Sequence, residues 1–326
     1  MSESKNGIAT PPWNTEAFSR PRGALLGALI TRAQALPPIR MGVVHPCDRP
    51  SLEGALAARD RGLIVPTLIG PCKKIEAAAR EAGVSLEDVD IVEAPHSHAA
   101  ADQAVELVRR GKLHAIMKGA LHTDELMTAV VRDGTGLRTD RRISHVFVID
   151  APTYHKLLLV TDAAINIAPA LDIKRDIVRN AVDLAHAIGL PRPKVAVLSA
   201  VETVEAKIPS TVEAAALCKM ADRGQIAGAI LDGPLAFDNA ISREAADAKH
   251  IVSEVAGDPD ILIAPDLESG NILAKQLVFL AGADTAGIVL GARVPIVLTS
   301  RADDVQSRVA SSALAQLFTH RKRETA

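Results

Sequence analysis

The chain has 326 residues, of which 48% are hydrophobic and 23% are charged, so it can bury a large core and is not disordered. Its 37 Lys and Arg oppose 39 Asp and Glu, which leaves a net charge of −2, and only 2% of the residues are aromatic. A nucleic-acid binder needs clustered cations and rings on which bases stack, so the composition disfavours that class and favours a small-molecule protein.

Signals for export or membrane insertion are missing from the sequence. The first 22 residues are polar and lack the apolar segment of a signal peptide. No apolar run approaches the ~20 residues that span a bilayer. Three widely spaced cysteines form no C-x-x-C pair, as expected of structural thiols in a reducing compartment. We therefore expect a cytoplasmic protein without a membrane partner, whose residues 1–22 are disordered.

Short runs rich in Val and Ile alternate along the chain with longer Ala-rich amphipathic stretches. This alternation is typical of βα units around a mostly parallel sheet, so we predict an α/β fold. The predicted strands are residues 41–45, 63–69, 91–94, 115–117, 146–149, 157–160, 195–198, 229–231, 261–264, 285–289 and 295–299. Eleven strands are more than one ordinary sheet carries beside so many helices.

Helix signals lie between most of these strands. Ser51 precedes an amphipathic stretch at residues 52–61, and Asp172 precedes apolar positions with a period of 3.6 residues. Ser210 and Glu213 form a capping-box pair. The three helices are predicted to end at Gly62, Gly189 and Gly224.

A proline turn after an apolar strand, at residues 150–153, marks a domain boundary. The final helix, near residues 303–318, follows a strand directly, so it can return to the first half of the chain. We expect residues 1–150 and 292–326 to form a first α/β lobe and residues 151–291 to form a second. The active-site cleft is expected between the two lobes.

Polar side chains gather after the predicted strands, at the carboxyl edge where open parallel sheets bind ligands. These positions are Lys118, Gly119, His122, Thr161, Asp162, Asn166, Ser199, Glu202, Thr203, Asp232, Gly233, Asp266, Ser269, Gly270, Asn271, Thr299, Ser300 and Arg301. Candidate binding residues therefore lie along one edge of the sheet.

The strongest of these elements is the run Thr299, Ser300 and Arg301, which precedes an acidic helix start at Asp303 and Asp304. Two hydroxyls and a guanidinium at a helix N-terminus form a site for a phosphate or a developing oxyanion. The alternative is that Ser300 caps the helix and Arg301 pairs with a surface acid.

A second element is the turn from Asp266 to Asn271, in which Ser269 and Gly270 precede the asparagine. Because glycine lacks a Cβ atom, such a turn can approach a phosphate or an acyl group closely. The alternative is an Asx or Ser cap on a helix. It is not the G-x-G-x-x-G fingerprint of dinucleotide-binding proteins.

The loop at residues 132–142 is basic and glycine-rich, and its Arg138 and Arg141 could embrace the phosphates of a nucleotide-bearing substrate. Solvated surface charge is the alternative. His96 and His98 have no third ligand spaced around them, so we expect no metal site.

Four motifs, taken in order, resemble the phosphate acetyltransferase and phosphate butyryltransferase family. They are residues 118–124, 161–166, 265–271 and 299–301. The stretch at residues 118–313 is most similar to the transferase half of proteins labelled bifunctional enoyl-CoA hydratase/phosphate acetyltransferase. Only about forty residues precede the first strand, so a hydratase activity is not expected.

The resemblance implies reversible transfer of an acyl group between coenzyme A and inorganic phosphate, by direct attack of a thiolate on acyl phosphate. It also implies a two-lobed α/β/α sandwich similar to isocitrate and isopropylmalate dehydrogenases, a homodimer, acyl-CoA as substrate, and no tightly bound cofactor or metal. Ser300 and Arg301 match the family's Ser-Arg pair, which is expected to hold the phosphate and the carbonyl oxygen. The expected substrate-binding residues are Thr299, Lys118, His122, Asp162, Asn166, Asp266, Ser269, Gly270, Asn271, Arg138 and Arg141.

The chain departs from the family's pattern at the position of the base. In acetyltransferases an aspartate after the motif serine is the favoured base for the CoA thiol, and Ser307 stands there in this chain. We expect Asp303 or Asp304 to substitute for it.

A second departure removes a cation. The family has an arginine in the helix after residues 118–124, where this chain has Leu126 and Met127. We expect one of the loop arginines to supply the missing charge, namely Arg138, Arg141 or Arg142.

Two other functions remain open from the sequence. A metal- and NAD-dependent dehydrogenase of the same fold would need paired aspartates at a divalent metal and a nicotinamide loop. A CoA-binding homologue without catalysis would keep the cleft and lose the reaction, as Ser307 and Met127 permit.

Overall fold

The computed structural model describes residues 20–299 and 304–324, and within them it contains eleven strands and eleven helices. The strands are β1 (Ile39–Val44), β2 (Ile64–Gly70), β3 (Asp90–Glu93), β4 (Ala115–Lys118), β5 (Ser144–Asp150), β6 (Leu158–Thr161), β7 (Lys194–Leu198), β8 (Ile230–Leu235), β9 (Ile261–Ile263), β10 (Asp284–Leu290) and β11 (Ile296–Val297). Each predicted strand overlaps one of these, so the α/β prediction is confirmed.

Helices separate most of the strands. They are α1 (Ala24–Gln34), α2 (Arg49–Asp60), α3 (Cys72–Ala82), α4 (Ser97–Arg109), α5 (Thr123–Val131), α6 (Leu171–Ala187), α7 (Pro209–Asp222), α8 (Phe237–Ile241), α9 (Arg243–Ala248), α10 (Leu267–Phe279) and α11 (Val305–Glu324). None of these described helices is long and apolar enough to cross a membrane. The predicted disorder of residues 1–22 falls mostly on residues 1–19, which lie outside the described part of the chain.

All eleven strands join one sheet, in the order β3-β2-β1-β4-β11-β10-β5-β6-β9-β7-β8. The expectation that one sheet would not carry them all was wrong. The reason is the pairing of β5 with β10, which are antiparallel over seven residues and connect two sets of parallel strands. The sheet is nevertheless mostly parallel, as predicted, since only the β10–β11, β5–β10 and β5–β6 pairs are antiparallel.

Helix α11 lies in the core rather than on the surface. Residues 308–317 of this helix are buried on every side, and α11 packs against α1, α2, α6 and β10. A helix buried all round needs a partner for each polar side chain that it carries. The polar residues at the start of α11 are therefore informative about the site that they border.

The predicted helix starts were wrong in detail. Asp48, and not Ser51, caps α2, since its carboxylate accepts the backbone N–H of Ser51 at 2.9 Å. Helix α6 begins at Leu171, so Asp172 lies inside its first turn, and α7 begins at Pro209, so Ser210 lies inside as well. Proline at a first helical position has a suitable φ and needs no N–H partner. The three predicted terminal glycines are confirmed, with φ values of 71°, 92° and 72° at Gly62, Gly189 and Gly224.

Candidate active site

A cavity of about 570 Å³ opens where the loops after β4, β6 and β11 meet the middle of β5. Polar side chains from α5, β5, the segment after β11 and the start of α11 line it, including Thr123, His145, Thr299 and Ser307. Further polar residues come from the segment before α1, from α10, from β10 and from the residue before α11, namely Arg22, Lys275, Asp284, Thr285 and Asp304. Its apolar wall comes from β5, α10 and β11, and it includes Phe147, Ala274, Val278 and Leu298. The cavity therefore offers polar groups and an aliphatic surface side by side.

Asp162 holds the loop after β6 in place. Its Oδ1 accepts the backbone N–H groups of His145, Ala164 and Ile165 at 3.3, 3.0 and 3.2 Å. Its Oδ2 accepts the backbone N–H and the side-chain amide of Asn166 at 3.0 and 2.6 Å. Both residues are buried. The two predicted site residues thus lie together and tie this loop to β5.

The start of α10 closes against the same loop. Asp266 caps the helix, and its Oδ1 accepts both the backbone N–H and the hydroxyl of Ser269 at 2.8 Å. Asn271 donates from Nδ2 to the carbonyl oxygen of Ala163 at 2.9 Å. A Cβ atom at Gly270 would lie 2.5 Å from the carbonyl oxygen of Asp162. For these residues the helix-cap alternative describes the observed contacts, and the glycine allows two loops to touch.

Lys118 brings a buried positive charge to the end of β11. Its Nζ lies 3.5 Å from the carbonyl oxygens of Gly119 and Thr299, and the residue is 6% exposed. His122, by contrast, is exposed at the N-cap position of α5 and makes no capping hydrogen bond through its side chain. Of these two predicted residues, Lys118 is the one in contact with Thr299.

Thr299 begins the strongest sequence motif, and Asp304 belongs to the acidic helix start that follows it. Thr299 lines the cavity and is 4% exposed. Asp304 is exposed, and its Oδ1 accepts the backbone N–H of Ser307 at 2.7 Å, so it caps α11. The remaining predicted catalytic residues are Ser300, Arg301 and Asp303, which lie outside the described residues.

The basic loop lies apart from this cavity. Arg138 is exposed and pairs with Asp133, and Arg141 pairs with Asp183. Both arginines line a separate hollow of about 460 Å³ that also contains Met127. Arg142, the third arginine named in this loop, contacts the loop after β6. Its Nε donates to Oδ1 of Asn166 at 3.0 Å.

The sequence did not point to two buried polar residues that border the site. Arg308 is 3% exposed on α11, and its Nη1 donates to Oγ1 of Thr299 at 2.6 Å. His145 is 1% exposed on β5, and its ring contacts Phe147 edge to face with the centroids 4.4 Å apart. Burial lowers the pKa of His145 to about 4, against the opposing effects of Asp162 and the Leu298 carbonyl. A titratable residue inside an apolar strand was the available signal for His145, whereas Arg308 follows Gln306 and Ser307, and this polar run gave no signal that it is buried.

Metal-binding geometry is not found among the described residues, which contain no group of three His, Cys, Asp or Glu side chains placed to hold an ion. His96 instead caps α4, since its Nδ1 accepts the backbone N–H of Ala99 at 3.2 Å. Burial raises the pKa of the Cys47 thiol to about 11 and that of Cys218 to about 12. Both thiols therefore stay protonated at neutral pH.

A family described as "Phosphate acetyl/butaryl transferase" matches residues 97–316 of this chain. The chain belongs to this family. A phosphate acetyltransferase of Rhizobium meliloti is 61% identical over 295 residues, which cover 90% of this chain and 93% of that protein. A phosphate butyryltransferase of Clostridium acetobutylicum is 43% identical over 275 residues, which cover 84% and 91% of the two chains.

Solved structures agree with the family's fold. A branched-chain phosphotransacylase from Enterococcus faecalis has a TM-score of 0.76 and 30% identity, covering 86% of this chain and 99% of that one. A 4-hydroxythreonine-4-phosphate dehydrogenase from Klebsiella pneumoniae has a TM-score of 0.52 at 13% identity, over 87% and 98% of the chains. The second likeness concerns the fold alone and confirms the predicted similarity to dehydrogenases. Membership of the transferase family favours neither of the two alternative functions.

Proposed function

We propose that this protein transfers an acetyl or short-chain acyl group between coenzyme A and inorganic phosphate, so that acyl-CoA and phosphate yield acyl phosphate and free CoA. The observation that carries the proposal is the family match, which spans the loops after β4, β6 and β11 that build the cavity. Acyl transfer needs donors for a developing oxyanion beside an apolar place for the acyl chain. The cavity has both kinds of surface.

The reaction proposed here is direct attack of the CoA thiolate on acyl phosphate. Ser300 and Arg301 follow Thr299, a cavity residue, in the sequence, and their hydroxyl and guanidinium are proposed to hold the phosphate and the carbonyl oxygen. Lys118 supports this assignment, because its buried ammonium adds positive potential at the Thr299 carbonyl. Both cations are proposed to stabilise the charge that develops on the leaving phosphate.

Substrate contacts follow from the two kinds of wall. Phe147, Ala274, Val278 and Leu298 would hold an acyl chain of two to four carbons by aliphatic contact. The phosphates of CoA are proposed to reach the basic loop, which carries Arg138 and Arg141. With few aromatic residues in the chain, CoA would be held mainly through its phosphates and its pantetheine arm.

We also propose a homodimer of two-lobed subunits, with residues 1–150 and 292–326 in one lobe and residues 151–291 in the other. Helix α10 supports the dimer, because Ile272, Phe279 and the adjoining Leu280 expose 56%, 76% and 83% of their surface. Neighbouring exposed apolar side chains of this size favour a covered interface. Light scattering should give twice the subunit mass, and the pair Phe279→Ser and Leu280→Ser should give a monomer.

The test of the activity is trapping of the acyl phosphate. Purified protein is incubated with acetyl-, propionyl- or butyryl-CoA and phosphate, and hydroxylamine converts acyl phosphate to a hydroxamate. We expect hydroxamate with at least one chain length, and its loss in Arg301→Ala. If all three thioesters give none while calorimetry shows CoA binding, the protein is a non-catalytic CoA-binding homologue.

A further inference from the structure

The proposed reaction requires a group that accepts the proton of the CoA thiol. Ser307 has a hydroxyl where acetyltransferases carry the favoured base, and a neutral hydroxyl is a poor proton acceptor. Asp304 is exposed to solvent, and its Oδ1 is engaged by the backbone N–H of Ser307. The described residues that line the cavity include one imidazole, that of His145.

Three features of His145 favour a functional role for its side chain. It is 1% exposed, it lines the cavity, and its Nδ1 has no hydrogen-bond partner among residues 20–299 and 304–324. Buried polar atoms in native proteins are rarely left unpaired, and exceptions point to function or to a missing ligand. The edge-to-face contact with Phe147 holds the ring in place, so the unpaired Nδ1 has a fixed position in a residue that lines the cavity.

The opposite edge of the same ring faces backbone. A Cβ atom at Gly287 would stand 2.9 Å from Nε2 of His145 and 3.3 Å from the carbonyl oxygen of Leu298. The glycine therefore makes room for the ring, and the Leu298 carbonyl lies near its Nε2 edge. A proton on Nε2 that faces this carbonyl leaves the lone pair on Nδ1.

We propose that His145, through Nδ1, takes the proton of the CoA thiol as the sulfur attacks the acyl carbon, a role that rests on the acyl transfer proposed above. The bond between sulfur and the acyl carbon forms, and the bond between that carbon and the phosphate oxygen breaks. The departing phosphate takes the proton from His145, so its product is hydrogen phosphate and the imidazole is neutral again. In the reverse direction hydrogen phosphate gives its proton to His145, which returns it to the leaving sulfur.

The charges around His145 suit this exchange. Burial lowers its pKa to about 4, and Asp162, whose carboxylate accepts the backbone N–H of His145, opposes that effect. Among the described residues, the other charged groups on the cavity walls are Arg22, Lys275, Asp284 and Asp304. An acyl phosphate bound beside the ring would raise this lowered pKa, as Asp162 does, because an anion within ~4–6 Å favours imidazolium. The imidazole is thus neutral before substrate binds and becomes a better base once it has bound.

The deciding variant is His145→Gln, which keeps a hydrogen-bonding side chain and cannot carry the proton. We expect kcat to fall ~10²-fold or more, with KM for acyl phosphate changed by less than about threefold. The acid limb of the kcat profile should disappear as well. His155→Gln is the matched control, since His155 lies outside the cavity, where its Nε2 is 2.9 Å from Oδ1 of Asp258, and its loss should leave kcat unchanged.

A rescue distinguishes proton transfer from a structural role. In the His145→Gln background, Ser307→Asp restores a carboxylate at the family's position, and we expect it to recover at least ~10-fold in kcat. Unchanged kcat in His145→Gln, or an unchanged acid limb, would overturn the assignment and leave the acyl transferase function standing. Absence of turnover in the wild-type protein would overturn both.

Folding of the variants is checked by thermal denaturation and by calorimetric CoA binding. His145→Asn is the second variant if His145→Gln does not fold. If neither variant folds, the pH dependence of the wild-type rates decides. The proposal is supported if kcat falls on the acid side at a pH at least about one unit higher than the pH at which kcat/KM falls. A kcat that is flat from about pH 5 to pH 8 contradicts it.

Discussion

Arg308 and Thr299 join the last helix to the last strand through one buried hydrogen bond. Nη1 of Arg308 donates to Oγ1 of Thr299 at 2.6 Å, and the two residues are 3% and 4% exposed. The segment between them contains Ser300 and Arg301, the pair proposed to hold the phosphate. This bond therefore holds together the two described residues that flank the segment.

Removal of this anchor should affect both stability and turnover. Arg308→Met leaves the Thr299 hydroxyl without its buried donor, so we expect the free energy of unfolding to fall by about 1.5–3 kcal/mol and kcat to fall with it. Arg110→Met is the control, because Arg110 makes an exposed pair with Glu106 that contributes about 0.3–0.5 kcal/mol. Urea denaturation and initial rates measure the two effects. Equal stability of the two variants would show that the Arg308 bond is not a structural anchor.

Gly54 on α2 leaves space for the stem of Arg308. A Cβ atom at this glycine would lie 2.3 Å from Cδ of Arg308, whereas one at Gly27 on α1 would meet nothing within 4 Å. Gly54→Ala should therefore lower the melting temperature, because overpacking of a core costs about 1–3 kcal/mol. Gly27→Ala should raise it, since Ala is favoured over Gly inside a helix by about 0.5–1 kcal/mol. A Gly54→Ala protein as stable as the wild type would contradict the packing described here.

The close contact between Gly270 and Asp162 is expected to affect both stability and turnover. The Cβ atom of Gly270→Ala would approach the Asp162 carbonyl oxygen to 2.5 Å, and a backbone atom cannot move away as a flexible side chain can. We expect separation of α10 from the loop after β6, a stability loss of about 1–3 kcal/mol and a lower kcat. Gln276→Ala, at an exposed position of the same helix, should stay within about 0.5 kcal/mol of the wild type. Parallel rate measurements on both variants check the difference.

Asp258 predicts how stability depends on pH. Burial alone would raise the pKa of its carboxyl, but hydrogen bonds and charges from Lys194 and Lys156 together outweigh burial and hold the pKa at about 2. Because this pKa is depressed from 3.8, the stabilisation is present above about pH 4 and is lost as the pH falls through 2.

The corresponding variant is Asp258→Asn. Since the carboxylate is one third exposed, solvent screens it, and we expect a loss of about 1 kcal/mol at pH 7. That loss should shrink as the pH approaches 2. Asp222→Asn, which breaks an exposed pair with Lys219, should cost less than about 0.5 kcal/mol at any pH. Denaturant titrations at several pH values measure the stability loss of each variant. A loss for Asp258→Asn that stays constant with pH would rule out ionisation of Asp258 as its cause.

Local sequence patterns predicted the elements better than the way they assemble. Runs of Val and Ile bounded by glycine and proline located each strand, because these patterns reflect burial of the strand itself. The pairing of β5 with β10 joins residues far apart in the sequence, and it depends on a fit such as the His145 ring against Gly287 that no local pattern contains. The wrong helix caps have a similar cause. In α2, the carboxylate of Asp48 accepts the free backbone N–H of Ser51, so the helix begins before Ser51.

The positions of some candidate residues could be predicted from the strand-end loops. Asp162, Asn166 and Thr299 follow apolar strands, where polar residues are conspicuous, and Thr299 lines the cavity. His145 could not be singled out because it lies inside an apolar strand, and Arg308 could not because the polar residues Gln306 and Ser307 beside it are typical of an exposed helix start. Their importance follows from tertiary contacts, which place one at the cavity wall and the other beneath Thr299.

The most direct test of the proposed function follows labelled phosphate through the reaction. Butyryl-CoA or acetyl-CoA is incubated with the purified protein and ³²P-labelled phosphate, and both label in acyl phosphate and free thiol are measured. Acyl transfer between CoA and phosphate predicts equal amounts of the two products, and Arg301→Ala should abolish both. Thiol release without labelled acyl phosphate would show simple thioester hydrolysis and would contradict the account.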